Sequence, residues 1–200
     1  MNVIIGPKIR LATKHGDFDV KHVSVHQEGG AFREGVVLQN ASGNNPTIVR
    51  VQSSCLFSES FWATDCDCAL QLQTSLMRIS KDGGTLLYFY EEGRGAGLEA
   101  KFKAIALQQG RGLDTIQAYE CLKMRVDPRT YEAAAAVLLK LHGSEPINLL
   151  SNNPNKIENL RKHGVNVVGR EPLICGWEQP PVRKYLEEKS TLLGHVIGEK

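Results

Sequence analysis

Several features are scarce in this 200-residue chain, and each scarcity removes a class of function. No apolar run approaches the ~20 residues a bilayer-spanning helix needs. The N-terminal Met1-Asn-Val-Ile-Ile-Gly-Pro-Lys also lacks the charged-then-apolar pattern of a secretory leader. The expectation is a cytoplasmic protein with no membrane partner. An excess of one charge is missing too: 24 Lys and Arg stand against 22 Asp and Glu, a formal net of +2 spread along the chain. That balance gives no basic field to hold polymeric nucleic acid, so an anionic ligand must be sought in a local pocket. Internal repeats, low-complexity tracts and a linker are absent, and the expectation is a single domain over residues 1–200. With 42% hydrophobic and 23% charged residues, the chain has the composition of a self-folding domain.

The pattern along the chain predicts an α/β (α+β) fold in which a β-rich part precedes alternating strands and helices. Residues 1–60 form the β-rich part. Apolar alternation in Val20-Lys-His-Val-Ser-Val, Gly35-Val-Val-Leu-Gln-Asn and Thr47-Ile-Val-Arg-Val-Gln predicts an antiparallel meander, with turns at Lys14-His-Gly-Asp and at 40–46. Residues 61–172 form an α/β part. Ala69, Leu72, Leu76 and Ile79 share one helical face from Cys68 onward, and Lys81-Asp-Gly-Gly stops that helix. Next come a buried strand at Thr85-Leu-Leu-Tyr-Phe-Tyr, a glycine loop and a helix over Ala100 to Gln109. Asp127-Pro-Arg is expected to open a further helix, with Asp as N-cap and Pro at the first helical position. Ile147-Asn-Leu-Leu and Val165-Asn-Val-Val read as strands around a helix near Lys156 to Lys162, giving a sheet covered by helices. Residues 173–200, with Pro180-Pro181 and a charged helix, form a tail that must dock.

Five cysteines need explaining if the compartment is reducing, where disulfides are rare. Cys55 precedes Cys66 by eleven residues, and Cys68 follows after one Asp, at a strand end and a helix start. Three soft ligands suit Zn²⁺, and a site with three protein ligands keeps a position for a water whose pKa the metal lowers. Two blander readings stand beside this one: ordinary buried thiols, or a structural zinc closed by a nearby His. Cys121 and Cys175 read as packing residues.

Other segments support an anion in the same way. The loop Gly93-Arg-Gly-Ala-Gly joins a strand to a helix and could present N–H groups to a phosphate, although it is neither a Walker loop nor a dinucleotide fingerprint. Arg129, with its planar fork, could clamp a phosphate, or could simply be solvated beside a capping Asp127. Ser151 and Lys156 at a turn before a helix admit the same two readings.

Together these segments resemble the GTP cyclohydrolase II family over nearly the whole chain. The likeness is carried by Arg50-Val51 leading to Cys55, Cys66-Asp-Cys68 with Gln71, and Glu92-Gly-Arg94. It continues through Asp114-Thr115, Asp127-Pro-Arg129, Leu149-Leu-Ser-Asn-Asn-Pro-Asn-Lys156 and a tail with Tyr185, Leu186, Lys189 and Gly194-His195. The resemblance implies one zinc held by Cys55, Cys66 and Cys68, and water attacking C8 of the guanine of GTP. It also implies loss of formate and pyrophosphate, Mg²⁺ on the triphosphate, and a homodimer. It puts Arg50, Val51, Gln52, Ser53, Ser54, Gln71, Glu92, Gly93, Arg94, Thr115, Ser151 and Lys156 at nucleotide-binding positions. Asp127 becomes the proton acceptor and Arg129 the nucleophile toward the α-phosphate. A guanidinium stays protonated, so the chemistry of Arg129 alone points instead to a clamp on phosphate. Three positions depart from the family pattern: Ile105 stands where Tyr is usual, and Gln52-Ser-Ser54 where His-Ser-Glu is usual. Without that Tyr hydroxyl, the reaction could stop at a formylated pyrimidine or take another nucleotide, and a non-catalytic nucleotide-binding protein is the remaining alternative.

Overall fold

The computed structural model describes residues 1–27, 29–41 and 46–197, so the turn expected at 40–46 lies mostly outside the described residues. One mixed sheet of seven strands organises the molecule, in the order β1-β2-β3-β5-β4-β6-β7. The strands are β1 (Asn2–Thr13), β2 (Gly16–His26), β3 (Phe32–Asn40), β4 (Thr47–Ser53), β5 (Gly84–Phe89), β6 (Ile147–Leu150) and β7 (Val167–Glu171). The pairs β1–β2, β2–β3 and β3–β5 are antiparallel, whereas β4 pairs in parallel with both β5 and β6, and β6 with β7.

The expected meander is therefore corrected in one respect. β2 and β3 pair as anticipated, but β5 inserts between β3 and β4. β4 carries Ile48, Val49 and Val51, all buried, and apolar residues on both faces mark an interior parallel strand rather than the end of a meander. β1 adds a long strand that the sequence reading left unassigned.

The helices are α1 (Leu56–Phe61), α2 (Cys68–Asp82), α3 (Leu98–Arg111), α4 (Thr115–Cys121), α5 (Glu132–His142), α6 (Pro154–Lys162) and α7 (Pro180–Leu193). α2 begins at Cys68 as its apolar spacing predicts. Asn153 caps α6, its side chain accepting from the N–H groups of Asn155 and Lys156, with Pro154 at the first helical position. A capping box between Asp114 and Gln117 starts α4. The helix expected from Asp127 instead starts at Glu132. The Asp127 carboxylate is occupied by the backbone N–H and guanidinium of Arg129, so it caps nothing.

The side-chain alternation of the strands divides the core in two. On one face Val49, Val51, Leu87 and Phe89 pack against Ala134, Val137 and Leu138 of α5 and Leu160 of α6. On the other, Phe18, Leu38, Ile48 and Leu86 pack against Ile79 of α2. Along β4 the even positions continue from Ile48 to Arg50 and Gln52, both buried. The same alternation that places Ile48 in the core thus points two polar side chains out of it, at the carboxyl end of the parallel strands. Open α/β sheets bind ligands at that end.

Candidate active site

A cavity of about 430 Å³ opens at the carboxyl ends of β4, β5 and β6. Its size falls in the range of small-molecule sites. Arg50 to Cys55 enter from β4, Glu92 to Arg94 from the loop after β5, and Ser151 to Asn153 from the loop after β6. Cys66, Cys68 and Gln71 come from the start of α2, Thr115 from α4, and Lys156 from α6. Arg129 lines the wall, and Asp127 stands behind it as its ion-pair partner. Of the metal, nucleotide-binding and catalytic residues expected from the sequence, all but Asp127 thus line one cavity.

The three cysteine sulfurs lie within 4.8 Å of one another. Cys55 and Cys66 are 3.9 Å apart. A tetrahedral zinc with Zn–S bonds of about 2.3 Å separates its sulfurs by about 3.8 Å, so the spacing fits that ion. Among the described residues no other His, Cys, Asp or Glu joins the group. Left as thiols, the three share charge unevenly. Hydrogen bonds from Cys66 and Cys68, and the ammonium of Lys101, pull the Cys55 thiol far below its usual range against the effect of burial. Cys66 and Cys68 are pushed up, first by donating to Cys55. A dication held among the three sulfurs would favour their ionising together, which suits zinc.

Around the cluster the polar groups form chains. Gln52, 3% exposed, accepts from Arg50 Nε at 3.0 Å and Nη2 at 2.6 Å. Its amide nitrogen donates to Glu59 at 3.0 Å. Glu59 also accepts from the Cys55 backbone N–H at 3.2 Å and from the Tyr88 hydroxyl at 2.5 Å, and burial pushes its carboxyl up. Arg50 donates onward to Gln71 at 2.6 Å. Gln71 donates to Asp67, whose other oxygen meets Lys189 of α7 at 3.1 Å. Gln52 therefore links Arg50 to the half-buried carboxylate of Glu59. Ser54 lines the cavity and brings no carboxylate.

The loop after β5 is held by Glu92, which accepts from Lys101 at 2.9 Å, from the Gly93 N–H at 3.3 Å and from the Leu56 N–H. Lys101 lies 3.4 Å from Cys55 Sγ as well. Burial works against its ammonium, but Glu92 and Cys55 outweigh it and raise its pKa. Arg94 sits in the left-handed region at φ 57°, a strained conformation for a non-glycine residue. Its Nη1 is buried without a partner. Gly95 follows at φ 84°, where a Cβ would come within 3.1 Å of Arg129 Cγ, so the loop packs directly on that arginine.

Arg129 grips Asp127 through two N–H groups at 2.8 and 2.5 Å. Burial opposes its charge, yet Tyr131 and Asp127 raise its pKa, while Asp127 is held below the usual carboxylate range despite burial. Lys156 donates to the Val51 carbonyl at 2.8 Å, and its pKa is lowered by burial and by Arg50 and Arg129 nearby. The Ser151 hydroxyl accepts from the Asn153 N–H at 3.1 Å, and the Thr115 hydroxyl donates to Glu188 of α7 at 3.2 Å. Ile105 lines the cavity with no polar atom to offer.

Sequence reasoning missed Glu59, Tyr88, Lys101 and Glu188 of α7, and it named Tyr185 and Lys189 only as part of the tail that resembles the family, with no role in the site. Lys101 and Ile105 are four residues apart on α3, a spacing that puts them on one face, and this was the available signal. Nothing local distinguished Glu59 or Tyr88.

Similarity to known proteins agrees with the geometry. Residues 6–172 match the family model described as GTP cyclohydrolase II. A GTP cyclohydrolase-2 of Proteus mirabilis is 40% identical over 172 residues, covering 86% of this chain and 85% of that protein. One from Escherichia fergusonii is 39% identical over 191 residues, 95% of this chain and 94% of its own length. One from Buchnera aphidicola is 38% identical over 193 residues, 96% and 97% of the two chains. A match over most of the chain, by family model and by relatives alike, makes this chain a member of the GTP cyclohydrolase II family.

Proposed function

We propose that the chain opens the imidazole ring of GTP by hydrolysis and releases formate and pyrophosphate, leaving a diaminopyrimidinone ribosylamino 5'-phosphate. Membership of the family and the names of its relatives support GTP as substrate. The observation that carries the reading is the three-thiol cluster in the wall of a cavity that also presents Arg50, Arg94, Arg129 and Lys156. In the same reading the protein is a cytoplasmic homodimer that begins riboflavin synthesis, and Mg²⁺ accompanies the triphosphate.

Zinc held by Cys55, Cys66 and Cys68 would supply a water acidified toward neutrality and a Lewis acid beside the ring. The protein's own groups do the remaining work. Arg50, fixed by Gln52, Gln71 and the Leu150 carbonyl, places a rigid positive charge at the cavity wall with one Nη1 hydrogen left to donate. Lys101 keeps a cation 3.4 Å from Cys55 and positions Glu92. Arg129 remains a cation pinned by Asp127, so its role is to stabilise charge on phosphate, and the pair leaves Asp127 a weak base.

The test is to incubate the zinc-loaded protein with GTP and Mg²⁺ and to quantify formate, pyrophosphate and the pyrimidine separately. Equal yields of all three support the reading, and unconsumed GTP overturns it. One observation favours a second reading. Ile105 lines the cavity with no polar atom, and the family resemblance implies a Tyr hydroxyl there to serve hydrolysis of the ring-opened formamide. An enzyme that stops at the formylated pyrimidine would consume GTP without releasing formate. Labelled GTP separates attack by Arg129 from clamping: an adduct trapped during turnover and lost in Arg129→Ala supports attack, and absence of any adduct supports the clamp.

A further inference from the structure

Four buried side-chain nitrogens lack a hydrogen-bond partner among the described residues, and two of them, Arg94 Nη1 and His195 Nε2, line the same cavity. Polar groups buried without partners are uncommon and mark a place where something else completes the bonding. Arg94 reaches the cavity on a strained left-handed backbone. His195 reaches it from the far end of the chain, beyond α7.

The segment carrying His195 is fastened at several points. Lys189 pairs with Asp67, which is 0% exposed and lies between two of the cysteines. Glu188 accepts from Thr115 at 3.2 Å, and the Val196 N–H donates to the Asn152 carbonyl at 2.9 Å. The His195 N–H bonds back to the Lys189 carbonyl at 3.2 Å, turning the chain at Gly194 so that the imidazole faces inward. Lys189, Lys156, Arg129 and Arg94 all lie close enough to that ring to disfavour its protonation. Lys189, Lys156 and Arg129 each already hold a partner within the protein. Arg94 Nη1 and His195 Nε2 remain as open bonds in a positive environment, where the chemistry that satisfies both is an anion with several acceptor oxygens.

We propose that residues 180–196 form a wall of the substrate site and that His195, with Arg94, binds the polyphosphate of the substrate. The proposal deepens the function given above and rests on it for the nucleotide, while the polyphosphate subsite stands on this geometry alone. Burial and the cationic neighbours favour a neutral ring, whose unpartnered Nε2 donates to an incoming oxygen when it carries the ring proton.

The experiment measures calorimetric binding of tripolyphosphate and of guanosine to the zinc-loaded full chain, to His195→Ala and to His195→Asn. The expected result is an affinity for tripolyphosphate weakened about tenfold or more in His195→Ala. His195→Asn, which keeps an N–H donor, should recover part of it. Guanosine affinity, zinc content and melting temperature should stay the same. Equal binding of tripolyphosphate by the variants, no binding by the parent, or a parallel loss of guanosine affinity each overturns the proposal. Loss of tripolyphosphate binding in His195→Ala, in a protein that does not consume GTP, upholds the subsite and refutes the substrate assignment.

Discussion

Gln52 shows how one buried side chain can tie several parts of a site together. Its amide oxygen satisfies two N–H groups of Arg50 while its nitrogen holds Glu59, which also grips the backbone of Cys55. Gln52→Leu would leave a buried guanidinium and a half-buried carboxylate short of partners, a cost of about 2–4 kcal/mol. Urea unfolding checks this, and a midpoint unchanged within error would show that the pair finds other partners. Ile105 raises the opposite question, since it takes away a hydroxyl and brings nothing polar. Ile105→Tyr should raise the ratio of formate to GTP consumed if the parent stops short, and should leave that ratio at one if it does not. At this scale the cysteines were legible because their spacing is itself the signal. Glu59 and Tyr88 were not, because a carboxylate on α1 and a phenol on β5 acquire meaning only when the sheet brings them to 2.5 Å.

The start of α2 followed from its apolar spacing, whereas the helix expected from Asp127-Pro128 was misplaced because a neighbouring side chain takes the capping group: Arg129 claims the carboxylate. The start of α2 matters most for function. Asp67, fully buried between Cys66 and Cys68, holds Gln71 on one side and Lys189 of α7 on the other. Lys189→Met would strand that carboxylate without a cation, at a cost of about 3 kcal/mol. Zinc affinity should fall alongside stability, because Asp67 shares its backbone with two of the sulfurs. Titration with a competing chelator reads the affinity. An unchanged zinc affinity would show that α7 and the cysteine cluster are independent.

At the scale of the whole molecule, the sequence showed alternating strands and helices but not the order of the strands. Hydrophobic alternation states which face a residue occupies and is silent about which strand lies alongside, so β5 inserting between β3 and β4 had no local signature. That insertion is what makes β4 interior and brings Cys55, the Glu92 loop and Ser151 to one edge. Closing the edge with α7 buries His195, and burial together with Lys189, Lys156, Arg129 and Arg94 lowers its pKa to about 3. His142 on α5 is lowered by burial as well. A histidine whose folded pKa is depressed binds fewer protons in the folded state, so its contribution to stability is present above the unfolded value near 6.5 and is lost as pH falls toward the folded value. Between pH 7.5 and pH 5 the protein should therefore lose stability, with up to about 2 kcal/mol attributable to His195 before screening by solvent is counted. Loss of zinc at low pH acts on parent and variant alike, and the difference between them isolates the imidazole. In urea unfolding, His195→Asn should lose less stability over that interval than the parent, and parallel slopes would show that the ring is not buried in the folded protein.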